Sequence, residues 1–224
     1  MKLYAVALGV VSGMLFSSGA FAGVVDVITN GSFESPVVTG AFQQFPSGIT
    51  GWTGTNGIEV QANGALGAGQ GTSFGNQYAE LAVVTPSTYS QTVTTTPGAQ
   101  YDLSFYLSAR PGTGSNSVSV GFTGSSSATF SAADTGSVNF QHFTQTFTAT
   151  SAQSILSFEP LGLGNTGGGD LIDNVSLTTT ISSPAAVPIP AALWTGMSGL
   201  VGLTTVGFFR QIVRRKVRGM DSKA

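Results

Sequence analysis

Residues 94–110 read TTTPGAQYDLSFYLSAR. In the second half Tyr101, Leu103, Phe105 and Leu107 fall on every second position, so an extended chain puts all four on one face. Pro97-Gly98 is turn chemistry: proline presets the backbone and glycine accepts a positive φ. The turn predicts an antiparallel hairpin between YSQTVTTT (89–96) and YDLSFYLSA (101–109). FTQTFTAT (143–150) repeats the period with Phe143 and Phe147, and its apolar face and that of YDLSFYLSA are expected to meet as the two inner walls of a sandwich.

Outward from this stretch, Val24 to Thr180 consists of short β-rich runs separated by Gly, Pro, Ser and Asn, with no run at helical spacing. The fold class is therefore all-β. The expected strands are Val25–Thr29, Gly57–Gln61, Gln77–Val84, Tyr89–Thr95, Gln100–Ala109, Ser117–Phe122, Ala128–Ser131, Phe140–Ala149, Ser154–Glu159 and Leu171–Thr178. Longer loops fall at Gly40–Thr50, Asn63–Gly75, Pro111–Asn116 and Leu161–Gly169.

Only 8% of the 224 residues are charged, and the formal net charge is −2. That figure hides a partition. Between Gly23 and Pro184 Arg110 is the one basic side chain, against nine acidic ones, so this part carries −8. Such a surface repels phosphate backbones, which excludes nucleic acid as a partner. The chain has no cysteine, which removes disulfides and thiolate chemistry.

Both ends read as addresses. Met1–Ala22 has a basic start at Lys2, an apolar stretch and a small-residue site at Ala20-Phe21-Ala22, the form of a secretory signal cut after Ala22. Residues 23–181 form the sandwich domain and 182–187 a linker, followed by a sorting signal over 188–218. Ala191 to Phe209 is free of charge and long enough for one transmembrane helix across a core of about 30 Å. Arg210, Arg214, Arg215 and Lys216 head the basic tail (210–218), which places the C-terminus in the cytoplasm and the acidic domain outside.

VPIPAALW (187–194), followed by the apolar span and RRK, resembles the PEP-CTERM family of bacterial exosortase substrates. The motif covers Val187, Pro188, Ile189, Pro190, Ala191 and Ala192, and Ile189 stands where the type motif has glutamate. The resemblance implies handling by an exosortase-like membrane enzyme and display at the cell surface, in the outer envelope or in an extracellular matrix. A permanent single-pass anchor is the alternative.

Within the domain, TNGSFESP (29–36), Gly51-Trp52, IEVQ (58–61), YAELA (78–82), FTQTFTAT and LIDNVSL (171–177) occur in an order similar to the galactose-binding-like jelly rolls of carbohydrate-binding modules and cell-wall proteins. That resemblance implies a jelly-roll sandwich and a structural Ca²⁺ held by Glu34 and Asp173, with Glu59 as a third ligand. Carboxylates with loop carbonyls suit the six to eight oxygens calcium takes. The alternative is that Glu34 and Asp173 accept backbone N–H groups in turns.

Sugar sites stack aromatics on pyranose faces beside a few oriented polar groups. The aromatics in or near loops are Phe42, Phe45, Phe74, Tyr78 and Tyr89. Tyr89 and Phe74, with Arg110 as a polar contact, are the ligand-binding candidates, Arg110 otherwise serving a structural ion pair. Trp52 belongs to the core, and a single histidine, His142, makes zinc improbable. With no nucleophile or metalloprotease motif present, the expected function is a non-catalytic exported protein that binds extracellular polysaccharide. The rivals are a glycosylated structural matrix protein and a secreted glycoside hydrolase.

Overall fold

The computed structural model describes residues 22–67, 75–114, 116–161 and 168–182. The signal segment before Ala22, Phe74 and the sorting signal over 188–218 lie outside the described residues. Among the described residues no helix is long and apolar enough to cross a membrane.

The described residues form twelve strands: β1 Ala22–Asp26, β2 Phe42–Phe45, β3 Thr53–Gly54, β4 Ile58–Ala62, β5 Gln77–Glu80, β6 Tyr89–Thr94, β7 Gln100–Ser108, β8 Asn116–Phe122, β9 Ala128–Ala132, β10 Gln141–Thr148, β11 Gln153–Leu161 and β12 Leu171–Ser182. They form two antiparallel sheets. The seven-stranded sheet runs β10-β7-β12-β5-β4-β2, with β1 on β12, and the five-stranded sheet runs β3-β6-β11-β8-β9. β12 is shared along its length: Leu171 and Ile172 pair with β5, and Thr178–Ser182 pair with β1, so Ala22 and Ser182 are partners at one end.

The alternation in β7 works as expected, with Tyr101, Leu103, Phe105 and Leu107 all buried. The hairpin does not form. The turn is present, with Gly98 at φ 82 and Ala99 N–H bonded to the Thr96 carbonyl. However, the chain changes sheet there, because β6 pairs with β11 and β3 while β7 pairs with β10 and β12. Turn residues dictate a local reversal and leave the partner to the apolar faces. Tyr89 and Val93 of β6 gain more by facing β7 across the core than by lying beside it in one sheet.

The opposing-walls expectation is corrected in the same way. Phe143 of β10 is the ladder partner of Phe105 of β7, so the two strands share a wall. The opposite wall is built from Val118, Val120 and Phe122 of β8 and Leu156 and Phe158 of β11, all buried. Phe105 and Phe158 meet across the core edge to face, with ring centroids 5.2 Å apart. Trp52 is buried against Phe33 at 5.4 Å and gives its indole N–H to the Asn30 carbonyl at 3.0 Å, as a core residue should.

β2 and β3 fall within and just after the segment read as a loop, and β5 stops at Glu80 because Leu81 N–H turns to the Asp170 carbonyl. One close crossing explains the NGSFE and IDNVSL pair. The chain at Gly31 crosses the bulge in β12, where Val175 N–H bonds to the Gly31 carbonyl at 2.8 Å. A Cβ at Gly31 would lie 1.8 Å from the Val175 oxygen, so no other residue fits.

Candidate functional site

In β4, Ile58 and Val60 face the core, which sends Glu59 and Gln61 to the outer face of the seven-stranded sheet. Across the ladder Glu59 lies opposite Gln44 of β2 and Glu80 of β5, and Gln61 lies opposite Phe42 and Tyr78. An outer face is normally wet. Here Glu59 is 5% exposed, Gln61 2% and Glu80 fully buried. A second apolar cluster of Tyr78, Leu171 and Val138, with Leu66 and Phe140 packed on it, adjoins these polar groups.

The groups form one connected network. The Gln61 side-chain N–H₂ donates to Glu59 Oε1 at 2.7 Å and Glu80 Oε2 at 2.6 Å, and Gln44 donates to Glu59 Oε2 at 2.8 Å. Arg110 pairs with Glu80 Oε1, which also accepts the Gly169 N–H at 2.8 Å. From beneath, the Tyr89 hydroxyl accepts the Glu59 N–H at 2.8 Å and donates to the Glu80 carbonyl, pinning β4 to β5. Burial pushes the Glu59 carboxyl up to about 7, eased by the Gln44 hydrogen bond and raised further by Glu80. The Gln61 Oε1 and the Tyr78 hydroxyl are buried with no hydrogen-bond partner.

Over this network opens a cleft of about 290 Å³, lined by Phe42, Gln44, Glu59, Gln61, Leu66 and Arg110 among others. That volume sits at the small end of ligand clefts. Phe42 is 53% exposed, a flat apolar ring beside oriented polar groups.

Of the sequence candidates, Arg110 and Glu59 come together here. Tyr89 does not serve as a platform, because it is fully buried and its hydroxyl is spent between two strands. Phe74 lies outside the described residues. Glu59 also does not join Glu34 and Asp173: among the described residues no three His, Asp or Glu gather into a metal cluster, and Glu59 neighbours Glu80 instead.

Glu34 caps the start of β5, its Oε1 accepting the Asn76 and Gln77 N–H groups at 2.7 and 2.9 Å. The backbone-acceptor alternative thus describes Glu34. Asp173 is 1% exposed, and burial lifts its carboxyl to about 8, with the Asn174 N–H opposing and the Glu34 charge adding to the rise. Two neighbouring carboxylates, one of them buried, fit a divalent cation in charge. The remaining oxygens would come from backbone and water.

Gln44, Gln61 and Glu80 escaped the sequence reading because polar residues alternating with apolar ones in IEVQ and QYAE look like a solvated strand face. Asp170, a fully buried carboxylate, escaped it as well. Burial raises its pKa to about 7, which Asn116 eases and Glu80 increases.

A family model described as "Protein of unknown function (DUF642)" matches residues 26–178. None of the curated proteins matches the chain. The solved structures similar to it include TmCBM61 in complex with β-1,4-galactotriose, at 16% identity and a TM-score of 0.43, covering 71% of this chain and 99% of that one. The CBM22-1 xylan-binding domain of Paenibacillus barcinonensis Xyn10C has 14% identity and a TM-score of 0.41, covering 63% and 94%. The enzymatically active domain of bacteriophage CBA120 tailspike protein 4 has 15% identity and a TM-score of 0.40 over 70% of this chain, which spans only 21% of the tailspike chain.

Proposed function

We propose that this chain, which belongs to the DUF642 family, is a non-catalytic saccharide-binding protein whose site is the cleft over β4 and β5. The observation that carries the reading is the exposed Phe42 ring at the edge of a cleft floored by Gln44, Glu59 and Gln61. A sugar ring offers an apolar face to an aromatic and hydroxyls to amides and carboxylates, and this cleft supplies both on one rigid sheet.

Hydrolysis of a glycosidic bond needs two carboxyl groups that reach the bond from either side. Glu80 is fully buried and tied to Arg110 and Gly169, so the Glu59 and Glu80 pair cannot flank a substrate, which favours binding over catalysis. Affinity electrophoresis of the full chain over a polysaccharide panel tests the reading. Retardation by at least one polymer, lost in Phe42→Ala, is expected; uniform mobility across the panel refutes it and favours the structural matrix rival.

On the same reading the protein is exported, its C-terminal segment is handled by an exosortase-like enzyme, and it acts at the cell surface or in an extracellular polysaccharide layer. The support is the order of signal, domain, linker, apolar span and basic tail in the sequence. A structural Ca²⁺ at Glu34 and Asp173 belongs to the proposal too. Calcium should raise the melting temperature and chelator lower it, and identical melting curves remove the ion.

A further inference from the structure

The charges in the cleft do not balance. Among the described residues Arg110 is the only lysine or arginine, and it is engaged by Glu80. Glu59 receives two neutral amide donors, and the one cation whose charge reaches it, Arg110, is paired with Glu80. A buried carboxylate without a counter-charge is costly, and the charge must be met by a proton or by a ligand.

A second observation is independent of the charge. Gln61 is 2% exposed and lines the cleft, and its Oε1 has no donor. The amide cannot turn over to relieve this. Its N–H₂ bridges Glu59 and Glu80, and reversal would set a carbonyl against the Glu80 carboxylate. An acceptor therefore stays beside the uncompensated Glu59.

We infer that the cleft takes a saccharide unit bearing a primary ammonium, with Glu59 as its counter-ion and the Gln61 carbonyl as a second acceptor. This rests on the saccharide reading of the cleft. An ammonium brings three donors and one positive charge to a place with acceptors and an excess negative charge. A neutral hydroxyl would satisfy Gln61 and leave Glu59 uncompensated. An N-acetylated amine offers one neutral donor, and a uronic acid would add a third carboxylate to the cleft.

Without ligand the compensating partner of Glu59 is a proton, since its carboxyl titrates near 7. The charged or titratable groups around it are Glu80 and Tyr78 on β5, Arg110 beyond β7, and Tyr89 on β6 beneath. Ammonium and proton then compete for one site, so binding at pH 6 displaces a proton into the buffer.

The test is isothermal titration of the full chain, at 0.15 M salt, with a β-1,4-linked glucosamine trimer, its N-acetylated counterpart and a galacturonic acid trimer. The free-amine trimer should bind about tenfold or more tighter than the N-acetylated one, the scale of one charge-assisted contact. Its binding heat at pH 6 should depend on the buffer's ionisation enthalpy. Glu59→Gln should abolish the preference, and Glu159→Gln, an exposed acid on β11, should retain it.

Equal affinity, or tighter binding of the N-acetylated trimer, overturns the ammonium assignment and leaves the saccharide reading standing. Binding of no trimer, together with no retardation by any polymer, overturns both. A preference lost equally in Glu159→Gln assigns it to the general field of the acidic domain and overturns the role of Glu59. Because proton release is read on the unaltered protein, its absence overturns the inference even if Glu59→Gln does not fold.

Discussion

The outer faces of the two sheets are built on the same period and behave differently. In the five-stranded sheet, β8 alternates residue by residue between buried apolar side chains and half-exposed Ser117 and Ser119. Its outer hydroxyls pair locally, as Ser117 does with Ser131 at 2.7 Å and Thr53 with Ser90 at 3.1 Å. In the seven-stranded sheet, β5 is buried on both faces and β4 is buried at every residue except its last. Where alternation of burial fails in a sheet that has only one core, something other than the core covers the second face. Here the covered groups are carboxylates and amides, an arrangement that costs stability and that a folding requirement alone does not call for.

The largest effect should come from the face the two sheets share. Phe105→Ala removes a ring that touches Phe130, Phe143 and Phe158 and should cost about 3–5 kcal/mol in chemical denaturation. A loss below ~1 kcal/mol would mean that the sandwich core is not where the two walls meet.

Arg110→Met should rank next. It strands Glu80, which is fully buried, and should cost about 2–4 kcal/mol, with the double substitution Arg110→Met, Glu80→Gln recovering most of the loss. Additive losses would show that the two side chains do not act as a pair.

Glu59 sets a pH dependence. Its folded pKa of about 7 lies above the ordinary value of 4.5, so the folded state holds the proton that the unfolded state releases between these limits. The Glu59 contribution is therefore full below about pH 4.5, falls as pH rises toward 7 and levels off above it, by roughly 1–3 kcal/mol. Glu59→Gln should flatten that part of the profile and leave the protein more stable at pH 8. An unchanged slope would place the titration elsewhere.

The smallest effect belongs to the other outer face. Ser119→Ala on β8 should shift stability by less than about 0.5 kcal/mol, because the residue is half in water and within a regular ladder. A large loss there would erase the contrast between the sheets.

Strand existence was legible in the sequence because period and turn residues act locally. Gln100–Ala109 and Ser117–Phe122 match β7 and β8 to within one residue. Strand partnership was not, since Pro97-Gly98 marks a reversal whether the chain stays in its sheet or crosses the core. β3, with two residues, is too short to show a period. In the site, Arg110 stood out as the lone cation and Phe42 as an aromatic in a loop. Gln61 and Glu80 did not, because a polar residue on a strand face looks solvated until the chain that covers it is placed. Tyr89 misled for the opposite reason: its hydroxyl is satisfied inside the core by two backbone groups, which no neighbouring residue type announces.

β12 passes through the middle of its sheet, from Leu171 beside Glu80 of β5 to Ser182 beside Ala22. Its twelve residues span about 36 Å as extended chain. A load between a ligand held at the cleft and the chain that continues beyond Ser182 runs along this strand, with β7 on one flank and β5 and β1 on the other. Ladder bonds perpendicular to such a load must slide together, which gives a strong mechanical link. A load applied between Ala22 and Ser182 would instead peel β1 from β12 one pair at a time. The same strand is a tether in one pulling direction and a zipper in the other.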